Sequence, residues 1–204
     1  SLTTTTTPIT TTTTNVVTAG GWQVVNITNL GNCVVATQNF NIGHVVFRER
    51  PVVSASWFEY RCTCCSQMHP VTQCPLAPTL FSRQIINNLT EIEEELSNLF
   101  AIQELDKART FLLAIQQASI HPHIRDRILS LTQANLDTCI ATVDLIKRST
   151  TMSKILPNES LLSTKQCAMI LSALNTNAHM LEDGGSALFP EAGAMFEHSC
   201  TPNW

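Results

Sequence analysis

The chain has 204 residues, of which 44% are hydrophobic and 14% charged, and its formal net charge is -4 at pH 7. This balance favours a globular protein with a sizeable core and argues against an intrinsically disordered one. The chain has no cluster of Lys and Arg and no uncharged apolar run of the roughly 20 residues that a spanning helix needs, so we expect neither direct nucleic-acid binding nor a membrane span.

The N-terminal part divides into a Thr-rich segment and a Val-rich segment. Ten of the first fourteen residues are Thr, which predicts a disordered leader over residues 1–20. The leader lacks the basic and apolar regions of a secretory signal, so we expect a cytoplasmic or nuclear protein. From Gly21 the runs WQVVNI, NCVVAT and GHVVFRERPVVSAS predict three strands, joined by tight turns at Asn29–Asn32 and Asn39–Gly43.

The middle of the chain has helical periodicity. A first helical face carries apolar residues at spacings of four and three, namely Ile85, Leu89, Ile92, Leu96 and Leu99. Further helices are predicted over Lys107–Ser119, His123–Thr132, Asn135–Ser149 and Glu159–Leu174. Asn158 is the predicted N-cap of the last, and the pair His121-Pro122 separates two of the others. The closing segment from Met180 is predicted to be strand and loop.

A Cys-rich stretch, YRCTCCSQMHPVTQCPLAP, lies between the strands and the helices. Eight Cys in a chain without a signal indicate reduced thiols or metal ligands. Zinc takes four ligands, and the Cys-x2-Cys spacing of Cys62 and Cys65 can present two of them, with His69 and Cys74 completing one site. Free surface thiols are the alternative interpretation. A redox pair of Cys64 and Cys65 is weaker, because adjacent cysteines rarely meet disulfide geometry.

Two segments carry a resemblance to a known family. GGSALFPEAGAMFEHSCTPNW resembles the SET domain of lysine methyltransferases, whose signature reads Asn-His-Ser-Cys-x-Pro-Asn after a Gly-x-Ala-Leu-Tyr-Pro-like strand. LGNCVVATQNFNIGHVVFRERPVVSA is similar to the first strands of that domain. A Cys-rich insert and a long helical block between the two halves is the layout of the SET and MYND domain subfamily, including its arthropod relatives.

The resemblance implies an α+β fold with small SET-type β-sheets from both chain ends around a mainly helical insert. It assigns residues 21–57 and 177–204 to the two parts of the SET domain, the second incomplete. It assigns residues 58–80 to a reduced MYND-like module and residues 81–176 to the helical insert. The strands within Gly21–Ser54 must then pair near Ala187–Cys200.

The resemblance also implies an activity, the transfer of a methyl group from S-adenosylmethionine to a protein lysine, with histones as candidate substrates. Only the neutral amine of lysine, whose reference pKa is about 10.4, can attack the sulfonium methyl, and a narrow apolar channel lowers that pKa. By resemblance, the cofactor-binding residues are Gly31, Asn32, Cys33, Asn177, Glu197 and His198. Cys33 stands where the family has a second Gly, and Glu197 stands where it has Asn.

No residue maps onto the Tyr that lines the lysine channel in the family, because the only Tyr of the chain is Tyr60, in the Cys-rich insert. We therefore expect this chain to be an incomplete or inactive form of such an enzyme, and a non-catalytic SET/MYND-like scaffold that binds proteins is the alternative. For Cys200 the resemblance implies a zinc ligand, and a buried thiol is the other interpretation. A nucleophilic pair of His198 and Cys200 is disfavoured, because residues two apart on a strand seldom meet in reactive geometry.

Overall fold

The computed structural model describes residues 11–12, 18–27, 31–55, 62, 64–65, 67–69, 73–81, 83–100, 105–181, 185–189 and 193–195. The chain divides into two compact units, one formed by Ser1–Arg50 with Glu191–Trp204 and the other by Pro51–Pro190. The described part is α+β with small sheets, as the sequence predicts.

The sheet of the first unit is built around β3 (Trp22–Ile27). β4 (Gly31–Ala36) pairs antiparallel with β3 along its whole length. β1 (Thr11–Thr12) and β2 (Thr18–Ala19) also pair antiparallel with β3, so they lie along its other edge. Both short strands come from the Thr-rich segment that composition predicts to be disordered. Thr is β-branched and fits an extended strand once a partner edge is available.

Gly20 and Gly21 form the two-residue turn that joins β2 to β3. Their φ angles are 59° and 90°, a conformation that glycine adopts readily and that tight hairpin turns require. A Cβ at Gly21 would overlap the side chain of Gln38. The run WQVVNI predicts β3, but the hairpin before it was not predicted, although a Gly-Gly pair before a strand is a recognised hairpin signal.

Segments from both ends of the chain meet within the first unit. A 3₁₀ helix, Gly193–Met195, packs against β4, and the backbone N–H of Gly193 donates to Oε2 of Glu49 at 2.7 Å. The ring of Trp22 contacts that of Phe47, with centroids 5.9 Å apart. The predicted third strand is wrong over residues 43–50, which have no regular secondary structure.

The sheet of the second unit joins two distant parts of the chain. Its strands are β5 (Val53–Ala55), β6 (Ala178–Met180) and β7 (Ser186–Leu188), with β7 in the centre and both neighbours antiparallel to it. The backbone N–H of Val52 continues the ladder by donating to the carbonyl of Leu188 at 2.9 Å. This sheet confirms the expected pairing of an N-terminal strand with the C-terminal segment.

The helices described in the second unit are α1 (Ala77–Leu80), α2 (Arg83–Asn87), α3 (Leu89–Phe100), α4 (Leu105–Ile120), α5 (Pro122–Leu129), α6 (Leu136–Arg148) and α7 (Thr164–Asn177). α2 to α7 fall where apolar periodicity predicts helix, although α7 begins five residues after Glu159, and the short helix α1 was not predicted. The predicted break lies where expected, because His121 is extended and Pro122 is the first residue of α5. None of the helices described is both long and apolar enough to cross a bilayer.

The core of the second unit surrounds α4, which packs against α3, α5, α7 and β5. Phe111, Leu112 and Ile115 of α4 are fully buried. Cys139 of α6 and Cys167 of α7 are buried in the same core, as their apolar helix faces predict. Burial raises the pKa of the Cys167 thiol to about 11.

The predicted cap of α7 is wrong. Ser163, not Asn158, precedes the helix, and its side chain accepts the N–H of Gln166 while the Gln166 side chain accepts the N–H of Ser163. This is a reciprocal capping box. Asn158 instead accepts the backbone N–H of Ser160 in the preceding turn. Asn is a good cap in isolation, but residues 159–162 form a turn, with the N–H groups of Leu161 and Leu162 donating to the Asn158 carbonyl, before the helix begins.

Candidate metal centre

Four side chains of the Cys-rich stretch converge as the spacing predicts. The ligand atoms of Cys62, Cys65, His69 and Cys74 all lie within 4.8 Å of one another. Sγ of Cys65 lies 3.2 Å from Nε2 of His69. Zinc bonds of about 2.3 Å to sulfur and about 2.0 Å to nitrogen imply tetrahedron edges of about 3.5 to 3.8 Å. The cluster can therefore hold a metal ion after a small adjustment, in which the Cys65–His69 pair separates slightly and the longer distances shorten.

Two backbone turns present the two buried thiols. The amide of Cys64 donates to Sγ of Cys62 at 3.4 Å, and the amide of Cys65 donates to the same sulfur. In the second turn, Sγ of Cys74 accepts from the amides of Leu76 and Ala77. Each sulfur thus receives the N–H groups two and three residues later. The Cys-x2-Cys spacing predicts the first turn, whereas the second carries no such signal because Ala77 stands in place of a second Cys.

Burial and hydrogen bonding act in opposite directions on these thiols. Burial raises the pKa of the Cys62 thiol to about 11, against the lowering effect of the amides of Cys64 and Cys65. Burial also tends to raise the pKa of the Cys74 thiol, but backbone amides and neighbouring thiols outweigh it and lower that pKa below its ordinary value. A bound cation would favour the thiolate form of the three cysteine ligands, because ligation requires deprotonated sulfur.

Cys64 is a fourth sulfur beside the cluster. It is half-buried and packs against the small buried group formed by Cys62, Cys74 and Ala77. Burial, followed by the negative charge of Cys62 and Cys74, raises the pKa of the Cys64 thiol well above its ordinary value. Cys64 and Cys65 are both free thiols. The alternative of a Cys64–Cys65 disulfide is therefore not what this structure contains.

The metal cluster is attached to the helical core by packing. Cys62, Cys74 and Ala77 form a small buried group of their own. Cys64 and Ile86 of α2 pack both against this group and against the main core. The two sulfur-bearing turns therefore share apolar neighbours with the helices, and a metal that joins them would also hold them against the second unit.

Three of the predicted cofactor-binding residues, Gly31, Asn32 and Cys33, lie in strand β4, so the predicted turn over Asn29–Asn32 is wrong at its last two residues. Oδ1 of Asn32 accepts from Nδ2 of Asn26 at 3.0 Å on an exposed face. Cys33 is buried and does not adopt the positive φ that would favour glycine. In a turn, this position could require a positive φ, which is strained for any residue with a side chain. In β4 the backbone is extended, so Cys33 fits there without strain.

Asn177 ends α7 and anchors a neighbouring loop. Its Nδ2 donates to the carbonyl of Thr132 at 2.8 Å and to the carbonyl of Ala173 at 2.8 Å, so both amide hydrogens have backbone acceptors. Asn177 belongs to the second unit, whereas β4 belongs to the first. Glu197, His198 and Cys200 lie outside the described residues. A cofactor pocket formed by these residues stays a prediction.

No protein-family model, curated protein or solved structure matches this chain significantly. The resemblance to SET domains therefore rests on the motifs quoted above. The metal cluster rests on the geometry of its four side chains.

Proposed function

We propose that the chain binds one zinc ion through Cys62, Cys65, His69 and Cys74. The observation that carries this proposal is the convergence of four ligand atoms within 4.8 Å of one another. A set of three thiolates and one imidazole suits zinc better than calcium or magnesium, which prefer oxygen. Four protein ligands leave no open position, so the ion has a structural role and activates no water.

The proposed ion stabilises a part of the chain that has little core of its own. Without the metal, the two sulfur-bearing turns are held by a small buried group and by contacts with Ile86. Structural zinc contributes folding free energy directly, because its ligands are not assembled in the unfolded chain. We therefore expect zinc to order the Cys-rich module and to raise the thermal stability of the second unit.

The test is the zinc content of the purified chain, measured by elemental analysis together with thermal unfolding. We expect one zinc per chain, lost in Cys74→Ser and retained in the matched control Cys167→Ala, which removes a buried thiol remote in sequence. A chelator should lower the melting temperature of the wild type and of the control. Wild-type protein that refolds in zinc but binds none, or a Cys74→Ser variant with unchanged zinc affinity, would contradict the proposal.

For the larger activity we propose methyl transfer from S-adenosylmethionine to a protein lysine, with histones as the first substrates to test. The support is the motif resemblance together with two contacts between the segments that carry it. β5, from PVVSA, pairs with β7, from GGSALFP, and Gly193 is hydrogen-bonded to Glu49. A SET-type arrangement requires the two halves of the domain to meet in this manner.

The alternative function is a non-catalytic SET/MYND-like scaffold that binds proteins. The observation that favours it is Asn177, whose amide hydrogens are both donated to backbone carbonyls. Titration calorimetry of the zinc-loaded chain with S-adenosylmethionine separates the two functions, because only the methyltransferase lineage predicts binding. Transfer of a radiolabelled methyl group to mixed histones is measured beside it. Because Tyr60 is the only Tyr, we expect binding with little transfer; absence of binding would support the scaffold.

A further inference from the structure

The fourth sulfur of the Cys-rich stretch, Cys64, is placed where it can react with a metal ligand. It packs against the buried group that contains Cys62 and Cys74, and its half-buried position leaves it partly accessible to small molecules. Cys64 is not needed to complete the four-ligand set. What this sulfur does therefore goes beyond zinc binding, although the inference rests on the zinc site proposed above.

We propose that Cys64 is the resolving thiol of an oxidation site, which captures an oxidised Cys74 as a disulfide and so releases the metal. The oxidant is a hydroperoxide, with hydrogen peroxide as the simplest case. The modification is reversible by a thiol reductant, because a disulfide is reduced back to two thiols, whereas sulfinic and sulfonic acids are not.

The chemistry proceeds in two balanced steps. Zinc ligation keeps Cys74 as a thiolate, and this sulfur attacks one peroxide oxygen, breaking the O–O bond to give a sulfenic acid and hydroxide. The hydroxide then takes the proton of Cys64 to form water, and the resulting thiolate attacks the sulfenic sulfur, forming the S–S bond and releasing hydroxide. Two sulfurs are oxidised by one electron each, and one peroxide is reduced. Zinc keeps three protein ligands and is bound more weakly.

Cys74 is the partner that disulfide geometry favours. Cys64 and Cys65 are adjacent, and Cys62 and Cys64 are separated by a single residue, so their backbones restrict the dihedral angle near 90° that a disulfide prefers. Cys74 comes from the other turn of the cluster, and the loop between it and Cys64 leaves the backbone free to adjust. The packing of Cys64 against the buried group that contains Cys74 supplies the proximity.

The experiment uses zinc-loaded full chain treated with hydrogen peroxide, and compares the wild type with Cys64→Ser and with the core-thiol control Cys139→Ala. Trypsin releases all four thiols of the cluster in one peptide, residues 62–83, between Arg61 and Arg83. In the wild type we expect the mass of this peptide to be lower by two hydrogens. Its fragmentation should yield no products of backbone cleavage between positions 64 and 74 until the peptide is reduced. Zinc release, followed with a chromogenic chelator, should reverse on addition of dithiothreitol.

Cys64→Ser retains the four ligands, so we expect it to bind zinc at the start. After peroxide it should lack the linked peptide, carry sulfinic or sulfonic acid at Cys74, and fail to recover zinc binding on reduction. The Cys139→Ala control should behave as the wild type. Reversible zinc release in Cys64→Ser, or a wild-type link that excludes Cys64, would overturn the inference. Absence of zinc before peroxide is added would instead contradict the metal site itself, so the two failures are distinguishable.

Discussion

A buried ion pair between α3 and α4 offers the sharpest test of how the helical unit is stabilised. Nε of Arg109 lies 3.2 Å from Oε2 of Glu93, and the two side chains are only 5% and 10% exposed. At this distance and an effective dielectric constant of about 20, the attraction is about 5 kcal/mol. The desolvation of both charges offsets much of that attraction, so the pair adds little net stability. Removing one partner takes this compensation away from the other buried charge.

The perturbation is Glu93→Gln, which keeps the shape of the side chain and removes its charge. We expect the free energy of unfolding to fall by about 3–5 kcal/mol, the usual cost of breaking a buried pair. Urea unfolding of the zinc-loaded chain, followed by circular dichroism of the helices, measures this change. The matched control is Glu159→Gln, because Glu159 forms a pair with Lys147 in which its side chain is 65% exposed. The control should unfold nearly as the wild type does.

A second variant keeps the test informative if Glu93→Gln does not fold. The double replacement Glu93→Met with Arg109→Leu fills the same space with apolar side chains, and we expect it to be at least as stable as the wild type. A loss below about 1 kcal/mol in Glu93→Gln, the range of surface pairs, would refute the reasoning. That result would mean that water or other polar groups compensate Arg109 in the folded state.

Three further predictions concern backbone and thiols. Gly21→Ala should destabilise the first hairpin by more than Gly43→Ala, since both have positive φ but only a Cβ at Gly21 meets a neighbouring side chain; thermal unfolding of both variants should show the difference. Ser163→Ala should lower the free energy of unfolding by about 1 kcal/mol through loss of the capping box, and Asn158→Ala by less; equal losses would refute the assignment of the cap. The thiol of Cys167, buried and with its pKa raised to about 11, should react with a thiol reagent only after unfolding, and fast labelling of the native protein would contradict its burial.

Local spacing in the sequence was enough to predict α2 to α7 and the four ligands of the metal cluster. The apolar repeat through Ile85, Leu89 and Ile92 places these residues on the buried side of α2 and α3, because helical geometry relates neighbours three and four apart. Cys62 and Cys65 were identifiable because a single turn of backbone determines how far apart their sulfurs can be. Information of this kind lies within a few residues of chain.

Contacts between distant residues required the tertiary structure. Nothing near Glu93 in the sequence indicates Arg109 as its partner. Asn177 matches a cofactor-binding position by resemblance, yet its side chain donates to the carbonyl of Thr132. The register of β5 against β7 and the place of Cys64 beside Cys74 likewise depend on how whole elements pack. Packing is decided by the burial of many side chains at once. A local pattern therefore predicts which element forms, and only the folded chain determines which groups meet.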